Sequence, residues 1–434
     1  MRVYTSDEAG LFKAIDLDLN VSYEQVRALA AKKAKTKPDE KDAEKPEKSK
    51  KSTNNKDTQV AGGVKTKILN GTVDRKREIQ ATSQLVSLDE GDNHSLSKLV
   101  GVARRDGTVE AIELPTGKTR HTYLDQDFQQ SVKIRINGHF ITEKKYVGIN
   151  VTPEHFLTCT NLGRVRYQRW DDSDNPTLIQ LPFDINVMRA HHKCPNAFIV
   201  GGQEHELRLW DIERLASEYS IPETASQKSW PWAKPQSTKP LFESENVEPD
   251  FLGLRVPVWI TDAWFLDSDN ATQPGDLTKF IVSTNYKQIR IYDAKSGRRP
   301  VKDWEFGDYP IRNLAVSPTG NDVFYADTTG KVGHLDIRTG KEIGQLKGFA
   351  GTVTSMCLNR DGSLLATVGL DRFLRLHETN SANHKLRHKV YLKQRLTNVV
   401  VDWSSEKTEE EEAEEMWHDM ATVKSDSKRK RKSR

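Results

Sequence analysis

Few stretches of this 434-residue chain bring chemistry-bearing side chains together. Gly117-Lys118-Thr119 has the ending of a phosphate-binding loop, but such a loop needs a glycine five places earlier, and Ile112 stands there. His191, His192 and Cys194 are metal-ligand types, yet adjacent residues of a strand point to opposite faces and cannot readily share one ion. Neither Gly-x-Ser-x-Gly nor His-Glu-x-x-His occurs. Cys159, Cys194 and Cys357 lie far apart without Cys-x-x-Cys spacing, which argues against a disulfide framework or zinc site and for a reducing compartment. The reading is therefore of a chain with no catalytic residues, metal or cofactor, whose chemistry is that of binding.

Binding chemistry is better represented. Arg104, Arg105, Arg164, Lys287, Lys331 and Arg372 stand in or beside short polar turns, each just ahead of a recurrent five-residue phrase. Such cations could meet RNA phosphates, with affinity that falls steeply with salt and carries no base specificity. Asp7, Glu8, Glu204, Glu206 and Asp371 occupy equivalent turns, so ordinary solvated charge is the competing reading.

The phrase itself decides what positions these turns. It occurs seven times: Phe12 to Asp16, Val109 to Glu113, Val165 to Arg169, Leu207 to Asp211, Ile289 to Asp293, Val332 to Asp336 and Leu374 to Glu378. Apolar or aromatic residues fill its first and third places and usually an acid its fifth, which is the two-residue period of a strand. The bare interval between copies matches the roughly 40 to 45 residues of a four-stranded propeller blade, and two intervals carry insertions. Pro115-Thr-Gly-Lys118, Lys295-Ser-Gly-Arg298 and Arg338-Thr-Gly-Lys341 are the same turn three times, with glycine supplying positive φ. The fold predicted is an all-β, seven-bladed β-propeller over 1–403, and the pattern resembles that of a WD-repeat β-propeller, although Trp210-Asp211 is its one Trp-Asp dipeptide in the phrase. The last strand, from Leu396 to Trp403, is expected to complete the first blade and so remove exposed sheet edges. Lys13, Arg166, Arg208, Arg290 and Arg375, at the second place of the phrase, read as structural.

Two segments interrupt the ring and one follows it. Residues 31–60 hold ten lysines and six acidic residues with almost no large apolar side chain, so a disordered loop is predicted. A second blade insertion is placed at 213–248, where Trp230 and Trp232 could either dock a partner or cover the blade edge. In the tail, 404–434, an acidic run leads into Met416, Trp417 and Met420 at helical spacing, a candidate partner helix. Lys428, Arg429, Lys430, Arg431 and Lys432 form a basic cluster suited to a nuclear import receptor. Hydrophobic residues are 35% and charged residues 29%, consistent with part of the chain being unstructured. There is no apolar run long enough to span a membrane and no charged-then-apolar leader, so a soluble intracellular protein without a membrane partner is expected.

Leu241 to Val247, Leu254-Arg-Val-Pro-Val-Trp259, Ala263 to Leu266, Gly369 to Leu376 and the acidic tail with Trp417 together resemble the Nop-seven-associated WD-repeat family. That resemblance implies a non-catalytic scaffold and assembly factor of the large (60S) ribosomal subunit in the nucleus and nucleolus. It implies docking on pre-60S particles through the propeller, contact with pre-rRNA, other assembly factors and ribosomal proteins, and release by an AAA-type ATPase. By the same likeness the tail is the candidate ATPase or import contact. Arg255 and Trp259 match the family string and are candidate contact residues, while Val256, Pro257 and Val258 read equally well as tight packing at a blade entry. The alternative class is a substrate receptor of a ubiquitin ligase or a chromatin reader, since propellers serve both. A propeller hydrolase ranks last.

Overall fold

The computed structural model describes residues 1–17, 19, 58–60, 64–88, 97–129, 133–136, 139–171, 176–218, 239–249, 251–266, 273–359, 361–380 and 384–402. Seven antiparallel sheets form blades in a ring, a seven-bladed β-propeller. Every copy of the recurrent phrase falls on the third strand of its blade: Phe12–Asp16, Thr108–Leu114, Arg164–Arg169, His205–Asp211, Gln288–Asp293, Val332–Asp336 and Phe373–Glu378. Alternation is the cause. Its apolar places bury against a neighbouring blade, as Ile289 and Leu374 do, while the acid at the fifth place ends the strand half-exposed.

Inner strands are Leu396–Asp402, Ile79–Thr82, Tyr146–Val151, Ile185–Ala190, Ile260–Phe265, Ile311–Val316 and Val353–Leu358, and each touches the next around a closed circle. The circle closes as the sequence implies. Leu396–Asp402 pairs antiparallel with Arg2–Asp7, setting Arg2 opposite Asp402 and Val3 opposite Val401, so the two ends of the ring share the first blade. Leu396, Val399 and Val401 are buried there against Val3, Val368 and Leu376. Gly117, Gly297 and Gly340 of the shared turn all have positive φ.

Three features differ from the expectation. Thr58–Val60, inside the segment read as a disordered loop, instead adds a fifth strand to the first blade, pairing with Val64–Asn70. A Thr-Gln-Val triplet has strand propensity that the surrounding lysines mask. The outer strand of the fourth blade, Phe242–Glu243, comes from within the segment read as an insertion, after the helix Ile212–Glu218. Two residues are too few to show a period. A separate hairpin, Ile134–Ile136 with His139–Ile141, lies between the second and third blades. Trp230, Trp232, Met416, Trp417, Met420 and the Lys428 to Lys432 cluster lie outside the described residues.

Candidate functional site

In an antiparallel four-stranded blade, the turn between the second and third strands and the connection from the outer strand to the next inner strand emerge on one face. The candidate cations were read from the first kind of turn, and the structure sorts them into three groups. Arg104 is not on the surface at all: it is 0% exposed, the last residue of the strand Lys98–Arg104. Its Nε and Nη2 donate to Glu110 Oε2 at 3.0 and 2.9 Å, and Nη1 donates to the Gly10 carbonyl at 2.7 Å. Nη2 also donates to Asn70 Oδ1 at 3.1 Å, so Arg104 ties the first blade to the second rather than facing a ligand. Arg164 is likewise buried and ion-paired with Asp127. Burial takes both off the candidate surface.

A second group, exposed Arg255 with half-buried Lys287 and Lys331, is answered by a carboxylate close by. Lys287 Nζ lies 2.7 Å from Glu305 Oε1, which holds its ammonium charged by raising its pKa. Lys331 Nζ lies 3.5 Å from Glu342, and Arg255 Nη1 donates to Glu204 Oε2 at 2.7 Å. Trp259 is half-buried and its backbone bridges to Gln203, while buried Val258 accepts from the Glu204 N–H. The Arg-Val-Pro-Val-Trp string is the entry to the inner strand of the fifth blade, with Val258 buried, Val256 and Trp259 half-buried, and Arg255 and Pro257 exposed, Arg255 at 62% side-chain exposure.

Arg105 and Arg372 form the third group, and the structure brings them together. They line one open cavity of about 260 Å³ with Glu8, Arg75, Glu78 and Arg395. Arg372 and Glu8 come from second-to-third turns of the seventh and first blades, Arg105 from that of the second. Arg75, Glu78 and Arg395 come from outer-to-inner connections. Backbone bonds fix the walls: Glu8 N–H to the Arg395 carbonyl at 3.0 Å, Arg105 N–H to Glu78 at 2.8 Å, and Leu392 N–H to Arg372 at 2.9 Å. Asp74 caps the short turn Arg75–Arg77 by accepting from the Lys76 N–H at 2.9 Å. Arg372 holds a left-handed φ of 68°, the tight turn that places its side chain on the rim.

Electrostatically the cavity is net positive, four guanidinium groups against two carboxylates. Arg105 is shared by Glu143 at 2.8 Å and Glu78 at 3.6 Å, and Arg395 has Glu8 at 3.8 Å. Among the described residues Arg75 and Arg372 have no carboxylate within ion-pair distance; Arg372 reaches only the Tyr391 hydroxyl, at 3.4 Å. Burial raises the Glu78 carboxyl pKa, opposed by Arg105. Such a site suits an anion, because guanidinium forks bind carboxylate and phosphate oxygens in pairs. Sequence reasoning missed Arg75, Glu78 and Arg395. Arg75 opens an Arg-Lys-Arg triplet between two blades, and that signal becomes readable once connections are assigned to the same face as the turns.

The second-place cations are structural. Lys13 Nζ meets buried Asp7 at 2.6 Å, Arg290 is 1% exposed and bonds Asp303 at 3.1 Å, and Arg375 is 1% exposed against Asp371. Arg166 bonds Gln168, and Arg208 bonds Glu243. His191 is buried and its Nδ1 accepts from the Cys194 N–H, at 3.2 Å. Among the described residues no three His, Cys, Asp or Glu side chains are grouped to hold a metal, and no helix is long and apolar enough to cross a membrane.

No family model matches the chain. Individual relatives do. Human WD repeat-containing protein 74 is 33% identical over 62% of this chain, a match covering 64% of the human protein's length. Ribosome biogenesis protein nsa1 of Schizosaccharomyces pombe is 28% identical over 74% of this chain and 82% of its own length. The bovine WD repeat-containing protein 74 is 31% identical over 66% of this chain and 71% of its own length, and by that likeness, on a ring of seven WD-type blades, the chain belongs to the WD repeat-containing protein 74 family.

Proposed function

We propose that this protein is a non-catalytic scaffold in ribosome biogenesis, acting on the large (60S) subunit. The observation that carries the proposal is the naming of fungal relatives as ribosome biogenesis proteins, one of them aligned over 74% of this chain. A ring whose turns bring side chains from several blades to one face supports it physically, since a rigid scaffold can hold several partners at once. Docking on nucleolar pre-60S particles uses the propeller, with Arg105, Arg255, Trp259, Lys287, Lys331 and Arg372 as contacts to pre-rRNA, assembly factors or ribosomal proteins. Domain limits of 1–403 for the ring and 404–434 for the tail belong to the same proposal. Met416, Trp417 and Met420 serve an AAA-type ATPase that releases the protein, and Lys428 to Lys432 serve the nuclear import receptor.

The test is purification of the tagged protein at near-physiological salt, with identification of bound RNA and proteins. Pre-rRNA with large-subunit ribosomal proteins and assembly factors is the expected result. Ubiquitin-ligase subunits or histones in their place overturn the proposal.

A further inference from the structure

The arginine cavity carries an inference about its ligand, and it rests on the scaffold reading above. We propose that the cavity is a receptor for a single phosphorylated side chain, phosphoserine or phosphothreonine, of a partner protein.

Charge is the first reason. Four arginines and two glutamates line the cavity, a surplus of two positive charges, and Arg75 and Arg372 are the two without a carboxylate partner among the described residues. A phosphomonoester carries about −1.5 to −2 at pH 7 and matches that surplus, whereas each link of a nucleic-acid backbone carries a single charge. Shape is the second. The site is a concave space of about 260 Å³ with walls from the first, second and seventh blades, and the backbone bonds already described fix the main chain that carries its arginines before a ligand arrives. No aromatic side chain lines it, and single-stranded nucleic acid is usually gripped by stacking its bases on aromatics.

Surroundings are the third reason. Beyond the cavity the same face is of mixed sign: Glu143 sits on Arg105, Glu204 on Arg255 and Glu305 on Lys287. An extended polyanion crossing this face would pass Glu143, Glu204 and Glu305 in turn, whereas one dianion in the cavity faces the lining Glu8 and Glu78 and, beside Arg105, Glu143.

The experiment uses the full chain and the double variant Arg75→Gln/Arg372→Gln. Both residues are exposed, and the variant should keep the wild-type melting temperature to within about 1 °C, since surface substitutions change stability little. Probes are a degenerate phosphoserine and phosphothreonine peptide pool, its unphosphorylated and Glu-substituted counterparts, and a fluorescein-labelled single-stranded RNA. Expected is binding of the phosphorylated pool at least tenfold tighter than of either counterpart. That binding should be lost in the double variant and weaken several-fold from pH 7.5 to 5.5 as the phosphate, whose second pKa is about 6, gains a proton. Equal binding of the Glu-substituted pool overturns the proposal in favour of an acidic-peptide site. RNA binding that is as tight and equally sensitive to the two substitutions overturns it in favour of nucleic acid, and no binding of any probe removes the anion site. Recovery of large-subunit precursors with the wild-type protein is scored separately, so failure of the cavity and failure of the scaffold reading give different results.

Discussion

Replacing Arg104 by leucine separates a buried clamp from a surface contact. In the folded protein its guanidinium makes two bonds to Glu110 Oε2 and reaches Gly10 and Asn70 in the first blade, with a longer bond of 3.4 Å to the Arg77 carbonyl. Removing one member of a buried ion pair typically costs about 3–5 kcal/mol, because the remaining charge stays desolvated. Glu110 keeps Arg77 Nη2 at 3.1 Å, which places Arg104→Leu at the lower end, ~3 kcal/mol. With an unfolding entropy of ~2.1 cal/mol/K per residue over roughly 300 residues, that corresponds to a fall in Tm of ~5 °C. Differential scanning calorimetry and urea titration measure it. Arg104→Leu/Glu110→Leu should be more stable than the single variant, since neither charge is then stranded. A single variant that melts within 1 °C of wild type yet loses partner or RNA binding would refute the clamp and return Arg104 to the surface.

Three further outcomes follow from the geometry. Arg2→Cys with Asp402→Cys, directly opposed across the closing pair, should form a disulfide on mild oxidation, while Arg2→Cys with Val401→Cys, one register away, should not; mobility on a non-reducing gel reports both. His377 is buried, donates from Nε2 to the Lys347 carbonyl, and has its pKa pushed down to about 4 chiefly by burial. Its folded-state pKa lies below the unfolded value of 6.5, so the unfolded chain binds the extra proton between these values. Stability is then full above about pH 6.5 and lost as pH falls toward 4; from pH 7 to 5 the loss is ~2 kcal/mol, which His377→Asn should remove from the urea-unfolding profile. Deleting Ser425 to Arg434 should lower nuclear accumulation in fluorescence images without changing the melting temperature, and unaltered localisation would remove the import reading.

The ring was legible because its signal repeats. One phrase such as Ile289 to Asp293 could sit in many folds, but seven copies at blade-length intervals admit few, and the unpaired strand from Leu396 implied its partner at Arg2. Lys13, Arg290 and Arg375 read as structural from their shared second place in the phrase, and each is buried against a carboxylate. Arg104 did not, because its partners Gly10 and Asn70 arrive from another blade. A local clue existed: Arg104 ends a strand and Arg105 follows it, so the two must point to opposite sides, one inward to Glu110 and one outward to Glu143. The cavity was half legible. Arg105 and Arg372 lie in repeat turns, whereas Arg75 and Arg395 lie in connections of no fixed length, and their meeting depends on ring closure bringing the seventh blade beside the first.

The central claim, a part in making the large ribosomal subunit, is tested most directly by depleting the protein from cells and resolving ribosomal subunits on a sucrose gradient. The account predicts a fall in free 60S subunits relative to 40S, restored by the wild-type chain. An unchanged subunit ratio after full depletion would contradict it.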